Sequence, residues 1–390
     1  MSAPNVPWKA TVGRIGARGA ASVLQALTLV VAARVAGSES FGLFVVVYSI
    51  AVFANAATGL GASTRALRSS ADSDESAADV LFGIRVIASM GVASAGLVAA
   101  LATENWIVLW AVVVASSDAF GEFAQNALAG VRRQTAASVS IVVQRLVPFL
   151  AVLLCIWRPT GLFPSYAAAQ LAGAILVPVI ARQFGQFRMP TLRQVSALRG
   201  YWFAAVVGQL SQLEPSAVSL AVSTSFAGQY GLAVRIARPL TIVSSALQSI
   251  LVPELSALRV SRDFRSASRV LLRPIWVYAV SLTAIAPLIG IGVTWALGPE
   301  YRGSQGLITA MVIAAALSAL AQGYQAILVA LDRPALSGAV VAVGSVASLV
   351  LLFMLGKTAN QYLWVVPIVT QVFIVGAMRE LSIRGSRGAP

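Results

Sequence analysis

The sequence lacks histidine and contains a single cysteine, Cys155, in 390 residues. Without an imidazole, a histidine-ligated metal, a Ser-His-Asp triad and a histidine proton relay are all excluded. One thiol forms no intrachain disulfide, and the apolar stretch PFLAVLLCIW around Cys155 indicates a packing residue. We therefore expect neither a metal centre nor a cofactor.

Charged residues are also scarce. They make up 11% of the chain against 58% hydrophobic residues, and the mean hydropathy is +0.82. In a soluble protein the net charge of +14 would suggest a nucleic acid partner. In a chain this apolar it indicates basic loops held in the cytoplasm, so we expect no nucleic acid partner. A Gly-x-x-x-x-Gly-Lys motif is missing, which argues against ATP hydrolysis.

Apolar runs long enough to cross a bilayer fill most of the sequence. A spanning helix needs ~20 mostly apolar residues, whereas a membrane barrel would show alternating segments of ~10 residues, which this sequence lacks. The runs lie near 12–35, 41–63, 78–102, 106–130, 136–157, 162–182, 201–225, 229–255, 273–297, 305–330, 334–355 and 362–383. They predict an all-α polytopic membrane protein with twelve transmembrane helices.

The distribution of basic residues predicts the orientation. With a cytoplasmic N-terminus, alternate loops carry 20 Lys and Arg on one side and four on the other, which favours cytoplasmic placement of both termini. The four are Arg34, Arg158, Arg302 and Lys357. The basic N-terminus followed by GAASVLQALTLVVAARVAG could also be a signal peptide, but a matching unit later in the chain favours a retained first span.

Two stretches of the sequence match each other. FGLFVVVYSIAVFANAATGLGASTRALR and YGLAVRIARPLTIVSSALQSILVPELSALR both begin aromatic-Gly-Leu and end Ala-Leu-Arg, and each is the second run of its half. Such a repeat predicts two parallel six-helix lobes, residues 1–183 and 201–390, joined by a cytoplasmic linker at 184–200. A substrate path would lie between the lobes.

Acidic residues within the runs can be matched to arginines. Asp118 and Glu122 are four residues apart and share one helix face. Counted from the turn near Arg133, Glu122 and Arg145 lie at similar depth, and so do Glu214 and Arg238 about the next turn. These residues are either structural ion pairs or sites for a coupling ion.

Two arginines remain without an obvious acid. Arg18 lies in the first run, where snorkelling of its long side chain to the headgroups is the alternative, and Arg235 lies about 12 Å from the nearest predicted turn. An arginine without a counterion in a central cavity attracts anions, and its planar fork suits phosphate oxygens. The sequence therefore predicts an anionic ligand.

The segments ARVAGSESFGLF, GLGASTRALR and FAGQYGLAVRIARPL...LVPELSALR resemble the multidrug/oligosaccharidyl-lipid/polysaccharide (MOP) exporter superfamily. The likeness is closest to its polysaccharide branch, the Wzx-type oligosaccharide flippases. It implies a V-shaped pair of six-helix lobes that flips an undecaprenyl-diphosphate-linked glycan between leaflets of the bacterial cytoplasmic membrane. By this resemblance Arg18, Arg235 and Arg238 would meet the diphosphate.

The leading prediction is a flippase that transports a lipid-linked oligosaccharide and is not an enzyme. Its partners would be membrane lipids and the glycosyltransferases or polymerase of the same pathway. The polar residues predicted to contact the sugars are Gln25, Gln125, Asn126, Gln209 and Gln212.

Two alternatives stay open. A cation-coupled multidrug exporter of the same superfamily would need surplus carboxylates, but the surplus here is arginine. A membrane glycosyltransferase or glycan polymerase would need catalytic groups on a substantial outer loop, and the predicted outer loops are short and nearly uncharged.

Overall fold

The computed structural model describes residues 8–66, 75–131, 133–181, 187–241, 255, 264–331 and 333–387. Within these ranges the regular secondary structure is helical. The α-helices are α1 (Trp8–Thr58), α2 (Ala62–Ala66), α3 (Glu75–Thr103), α4 (Trp106–Gly130), α5 (Gln134–Leu154), α6 (Leu162–Ile180), α7 (Leu192–Ala197), α8 (Arg199–Gly208), α9 (Glu214–Ala221), α10 (Thr224–Ala237), α11 (Phe264–Leu297), α12 (Gln305–Ala330), α13 (Pro334–Thr358) and α14 (Val365–Arg387). Short 3₁₀ helices lie at Pro159–Gly161, Leu210–Leu213, Arg238–Thr241, Pro299–Ser304 and Asn360–Tyr362.

The chain is an all-α polytopic membrane protein. Nine helices of the described residues are long and apolar enough to span a bilayer. The first candidate span, Gly16–Thr58, is 43 residues long and is broken at Gly37, where φ is 76° and ψ is 164°. Only glycine adopts this conformation readily, and the break falls between the first two predicted runs.

Twelve complete spans are not shown. The predicted seventh run, 201–225, is divided into α8, the 3₁₀ helix Leu210–Leu213 and α9, none of which is long enough to cross a bilayer alone. Pro215 at the start of α9 has no N–H to donate, which favours a helix start there over an uninterrupted helix. The predicted eighth run begins as α10, and its remainder after Thr241 lies outside the described residues apart from Leu255.

Contacts divide the chain into an amino-terminal unit, Met1–Gln212, and a carboxyl-terminal unit, Leu213–Pro390. In the amino-terminal unit α1 packs against α4 and α5, and α6 packs against both of these as well. Phe44 of α1 stacks on Phe163 of α6 with ring centroids 5.2 Å apart, an apolar contact between the two helices.

The carboxyl-terminal unit is built around α12. This helix packs against α10, α11 and α14, and its buried residues extend from Leu307 to Ala330. A helix that is apolar on all sides belongs in the interior of a bundle. The helix α13 packs against α9, α12 and α14 of the same unit.

Large aromatic side chains are exposed at helix ends on the side predicted to be extracellular. Trp106 begins α4, Trp157 follows α5, Trp295 lies near the end of α11 and Trp364 precedes α14. Tryptophan is enriched at membrane–water interfaces because its ring is apolar while its N–H is polar. Each of these helix ends is therefore suited to a membrane–water interface.

Residues 187–208, which we call the connecting segment, include most of the predicted linker, belong to the amino-terminal unit and pack against its preceding helices. The Trp202 indole donates to the carbonyl of Ala57 at 2.8 Å. The Arg65 guanidinium lies 5.9 Å from the centroid of the Tyr201 ring. Leu198 is buried among apolar residues of α2, α3 and α4. The segment is therefore docked on the helices that precede it.

A glycine permits the close contact between the connecting segment and α3. A Cβ added at Gly83 of α3 would lie 2.1 Å from the carbonyl oxygen of Arg188, a distance that no side chain could tolerate. A Cβ added at Gly91 of the same helix would have no neighbour within 4 Å. The two glycines therefore form a matched pair for mutation.

We expect Gly83→Ala to destabilise the protein by about 1–3 kcal/mol, because the connecting segment must move away from α3. Gly91→Ala should be neutral or slightly stabilising, since alanine favours helix more than glycine does. Thermal unfolding of the purified protein in detergent measures both. Equal melting temperatures for the two variants would contradict the docked position of Arg188.

Candidate functional site

Asp118 of α4 is the centre of a polar network in the amino-terminal unit. The Arg145 guanidinium lies 2.5 Å from Oδ1, and the Tyr48 hydroxyl donates to Oδ2 at 2.5 Å. The side-chain amides of Gln144 and Gln170 also donate to Oδ1. One carboxylate therefore accepts hydrogen bonds from α1, α5 and α6, and it links these three helices to α4.

Two glycines make room for Gln144 in this network. A Cβ at Gly121 would lie 2.3 Å from Nε2 of Gln144, and one at Gly173 would lie 3.0 Å from its Cα. The amide of Gln125, a residue predicted to contact sugar, donates to Oε1 of Gln144. Gln125 therefore belongs to the internal network.

The predicted partner of Arg145 is wrong, because the guanidinium pairs with Asp118 and not with Glu122. The prediction counts the depth of both residues from Arg133, which lies outside both helices. Measured from the helix ends, Asp118 is 12 residues before Gly130 and Arg145 is 11 residues after Gln134, whereas Glu122 is only eight before Gly130. One helical turn separates the correct acid from the predicted one.

Sequence reasoning also missed a second buried arginine, Arg85 of α3, which is 3% exposed. Its guanidinium donates to Asn55 Oδ1 at 2.8 Å and to the Asn55 carbonyl at 3.3 Å. A Cβ at Gly59 would lie 2.6 Å from Nη1, so glycine is needed beside it. Among the described residues, Arg85 Nε has no hydrogen-bond partner. The sequence signal that points to Arg85 is an arginine inside the third apolar run.

Glu122 of α4 is exposed. Its carboxylate interacts electrostatically first with Arg85 and then with Asp118, Arg18 and Arg145. Arg18 of α1 is also exposed. The amino-terminal unit thus has an accessible face that carries Arg18 and Glu122, with the buried Arg85 nearby.

Glu214, the first residue of α9, is the centre of a polar group in the carboxyl-terminal unit. Its carboxylate accepts hydrogen bonds from the hydroxyls of Tyr230 and Ser348, each at 2.9 Å. The predicted partner, Arg238, acts on the carboxylate electrostatically. Tyr230 of α10 and Ser348 of α13 therefore join Arg238 as neighbours of this acid, and the sequence analysis did not identify either hydroxyl.

The two arginines of YGLAVRIARPL differ in exposure. Arg235, in the last turn of α10, is 7% exposed, whereas Arg238 begins the following 3₁₀ helix and is exposed. Neither is without an interaction partner. The prediction that Arg235 is left without one is therefore wrong, as expected for a buried guanidinium, whose desolvation cost demands compensation.

The other residues predicted to contact sugar are Gln25, Asn126, Gln209 and Gln212. Gln25 and Asn126 are half-buried on α1 and α4. Gln209 follows α8, and its carbonyl accepts from the N–H of Gln212 at 2.9 Å. Both glutamines therefore mark the break between α8 and α9.

A family model described as "polysaccharide biosynthesis protein" matches residues 11–259 of this chain. No curated protein matches it. A multidrug resistance MATE family transporter of the MOP superfamily is similar in its inward-facing conformation, with TM-score 0.71, 13% identity and coverage of 97% of this chain and 100% of that one. A structure described as the outward-facing conformation of a multidrug resistance MATE family transporter gives TM-score 0.65, 16% identity and coverage of 97% of this chain and 96% of that one.

A further similar structure is a MOP superfamily transporter from Pyrococcus furiosus, with TM-score 0.62, 16% identity and coverage of 97% of this chain and 94% of that one. At these identities the likeness shows the fold alone. The described helices thus have the arrangement of MATE-like transporters.

We expect Asp118→Asn to lower stability by about 3 kcal/mol or more, because it leaves Arg145 largely buried without a counter-charge. The double variant Asp118→Asn/Arg145→Gln should recover much of the loss. Glu39→Gln is the control, since it removes an exposed carboxylate of α1 that lies outside this network. Thermal unfolding in detergent measures all three, and an equal loss in the Asp118 and Glu39 variants would contradict the pairing.

Proposed function

The chain belongs to the polysaccharide biosynthesis protein family, and from this premise we propose that it flips a polyprenyl-diphosphate-linked oligosaccharide across the membrane by alternating access. The protein is a transporter, not an enzyme, so the glycosyltransferase and polymerase alternatives are set aside. The family accounts for a glycan-related substrate. That the substrate carries a lipid diphosphate is a further proposal, which we base on the arginines of this chain.

The observation that carries this proposal is the exposure of Arg18 and Arg238 within otherwise apolar stretches. An arginine presents paired N–H donors that match two phosphate oxygens, and these hydrogen bonds strengthen away from bulk water. We propose that both guanidinium groups contact the diphosphate. The buried Arg235 would add positive potential without direct contact.

Internal hydrogen bonding of the carboxylates also favours an anionic cargo. Asp118 and Glu214 already accept bonds from arginine, amide or hydroxyl donors, and the exposed Glu122 lies within the field of Arg85 and Arg18. A carboxylate satisfied in this way gives an organic cation little to bind. We propose that Asp118 and Arg145 act structurally, and that Gln25, Asn126, Gln209 and Gln212 are available to the glycan.

The alternative of a cation-coupled multidrug exporter has support from the fold, since the similar MATE transporter is described as a multidrug resistance protein. The Pyrococcus furiosus transporter is described as having a binding pocket of reverse polarity that suggests a different function. The same fold is therefore compatible with cavities of different charge. The arginines of this chain favour the anionic choice.

We further propose a location and an orientation. The protein would lie in a bacterial cytoplasmic membrane with both termini in the cytoplasm, as the unequal distribution of Lys and Arg favours. Glycosyltransferases that complete the lipid-linked glycan and a polymerase that consumes it would be its partners.

We expect Arg238→Ala and Arg18→Ala each to lower flipping about tenfold or more, because each removes a charge-assisted hydrogen bond to phosphate. Arg→Lys at either position should restore part of the rate, since the charge remains but the fork is lost. The assay uses the full chain in vesicles with a fluorescent polyprenyl-diphosphate disaccharide, and measures the fraction of probe exposed on each leaflet.

Matched controls are Arg34→Ala on the same helix as Arg18, and Arg302→Ala on the predicted extracellular side, both exposed in the structure. They should flip the probe at the wild-type rate. Equal rates in all four alanine variants would refute a diphosphate-binding role. Active export of an organic cation with no flipping of the probe would establish the drug exporter instead.

A further inference from the structure

The connecting segment has an exposed apolar surface. Leu192 is 90% exposed, and Phe187, Met189 and Phe203 are also exposed. Four large apolar side chains within 17 residues are unusual on a surface that meets only water. Because other parts of the segment are docked on α1, α2 and α3, this exposure belongs to an ordered surface.

The connecting segment also carries positive charge, and no acidic residue is nearby in the sequence. Arg188, Arg193 and Arg199 are exposed. The whole sequence between Glu122 and Glu214 contains no Asp or Glu. The surface therefore combines apolar side chains with guanidinium groups, which is the composition of segments that lie in the plane of a bilayer surface.

The docking contacts place the segment at the level of the membrane boundary. Trp202 bonds to Ala57, the penultimate residue of the candidate span Gly16–Thr58. Arg188 touches Gly83, the sixth residue of the span Ala78–Thr103. At 1.5 Å per residue, that contact lies about 8 Å along the helix from the start of the span. This depth corresponds to the headgroup region and the adjoining acyl chains.

We propose that residues 187–203 form an in-plane lipid-binding surface specific for anionic phospholipids. Arg188, Arg193 and Arg199 contact the headgroups, while Phe187, Met189 and Leu192 enter among the acyl chains. A basic residue near an anionic surface changes the local lipid equilibrium about fivefold, so three arginines give a strong preference. The inference is independent of the transported substrate, since it concerns the lipid around the amino-terminal unit.

The test uses the full chain with Cys155→Ala and Leu192→Cys, carrying a nitroxide spin label at residue 192. The protein is reconstituted into vesicles of phosphatidylcholine alone or with added phosphatidylglycerol. Collision with dissolved oxygen, which concentrates in lipid, is compared with collision with a neutral nickel chelate, which stays in water. We expect the label to lie among lipids and to move deeper when phosphatidylglycerol is present.

The variant R188Q/R193Q/R199Q should lose the dependence on phosphatidylglycerol. Salt at about 0.5 M should weaken it in the unsubstituted background, because screening shortens the reach of the charges. The matched control R269Q/R273Q/R333Q removes three exposed arginines elsewhere on the predicted cytoplasmic side and should retain the dependence. A label at Val131→Cys, in the turn after α4, should not respond to either triple substitution.

Several outcomes would overturn the proposal. A label at residue 192 that is fully accessible to the nickel chelate in both lipids would place the segment in water. If the label at residue 192 lies at the same depth in both kinds of vesicle, the segment has no preference for anionic lipids. If both triple variants lose the dependence on phosphatidylglycerol equally, the preference comes from the net positive charge of the protein and not from this segment. Protection that appears only when a soluble protein fraction is added would make the surface a protein-docking site.

Discussion

The structure depends on the satisfaction of charge where water is scarce. A carboxylate or guanidinium within a bundle is stable only when nearby groups replace its hydration, so each buried charge fixes the helices that supply its partners. Asp118 shows the effect most clearly, because its donors come from three helices besides its own. The single ion pair with Arg145 therefore has a role in packing that extends across the amino-terminal unit.

The two units stabilise their central carboxylates with different groups. The amino-terminal unit balances Asp118 with a guanidinium, whereas the carboxyl-terminal unit surrounds Glu214 with two hydroxyls that donate to it and with the charge of Arg238. Hydroxyls satisfy a carboxylate without neutralising it. A match between two stretches of sequence therefore says little about whether the polar interiors of the two halves are alike.

Much of the fold could be predicted from the sequence because a bilayer demands long apolar runs, and every candidate span among the described residues overlaps a predicted run, although the bounds differ by up to seven residues. The predictions that were wrong have local causes. Pro215 accompanies a break that hydropathy does not register, and an error in one helix end shifted the partner of Arg145 from Asp118 to Glu122. The hydrogen bonds of Arg85 go to Asn55, an uncharged amide, so matching arginines with acidic residues along the sequence does not find this contact.

The bond from Trp202 to Ala57 has a consequence for biosynthesis. The last carbonyls of a helix need donors, and the donor here comes from a residue 145 positions further along the chain. The carboxyl end of α1 therefore stays incomplete while the next four long helices leave the ribosome and enter the membrane. The hydrogen bond that completes this end of α1 forms only after residue 202 has been synthesised, so the start of the protein acquires one of its contacts late.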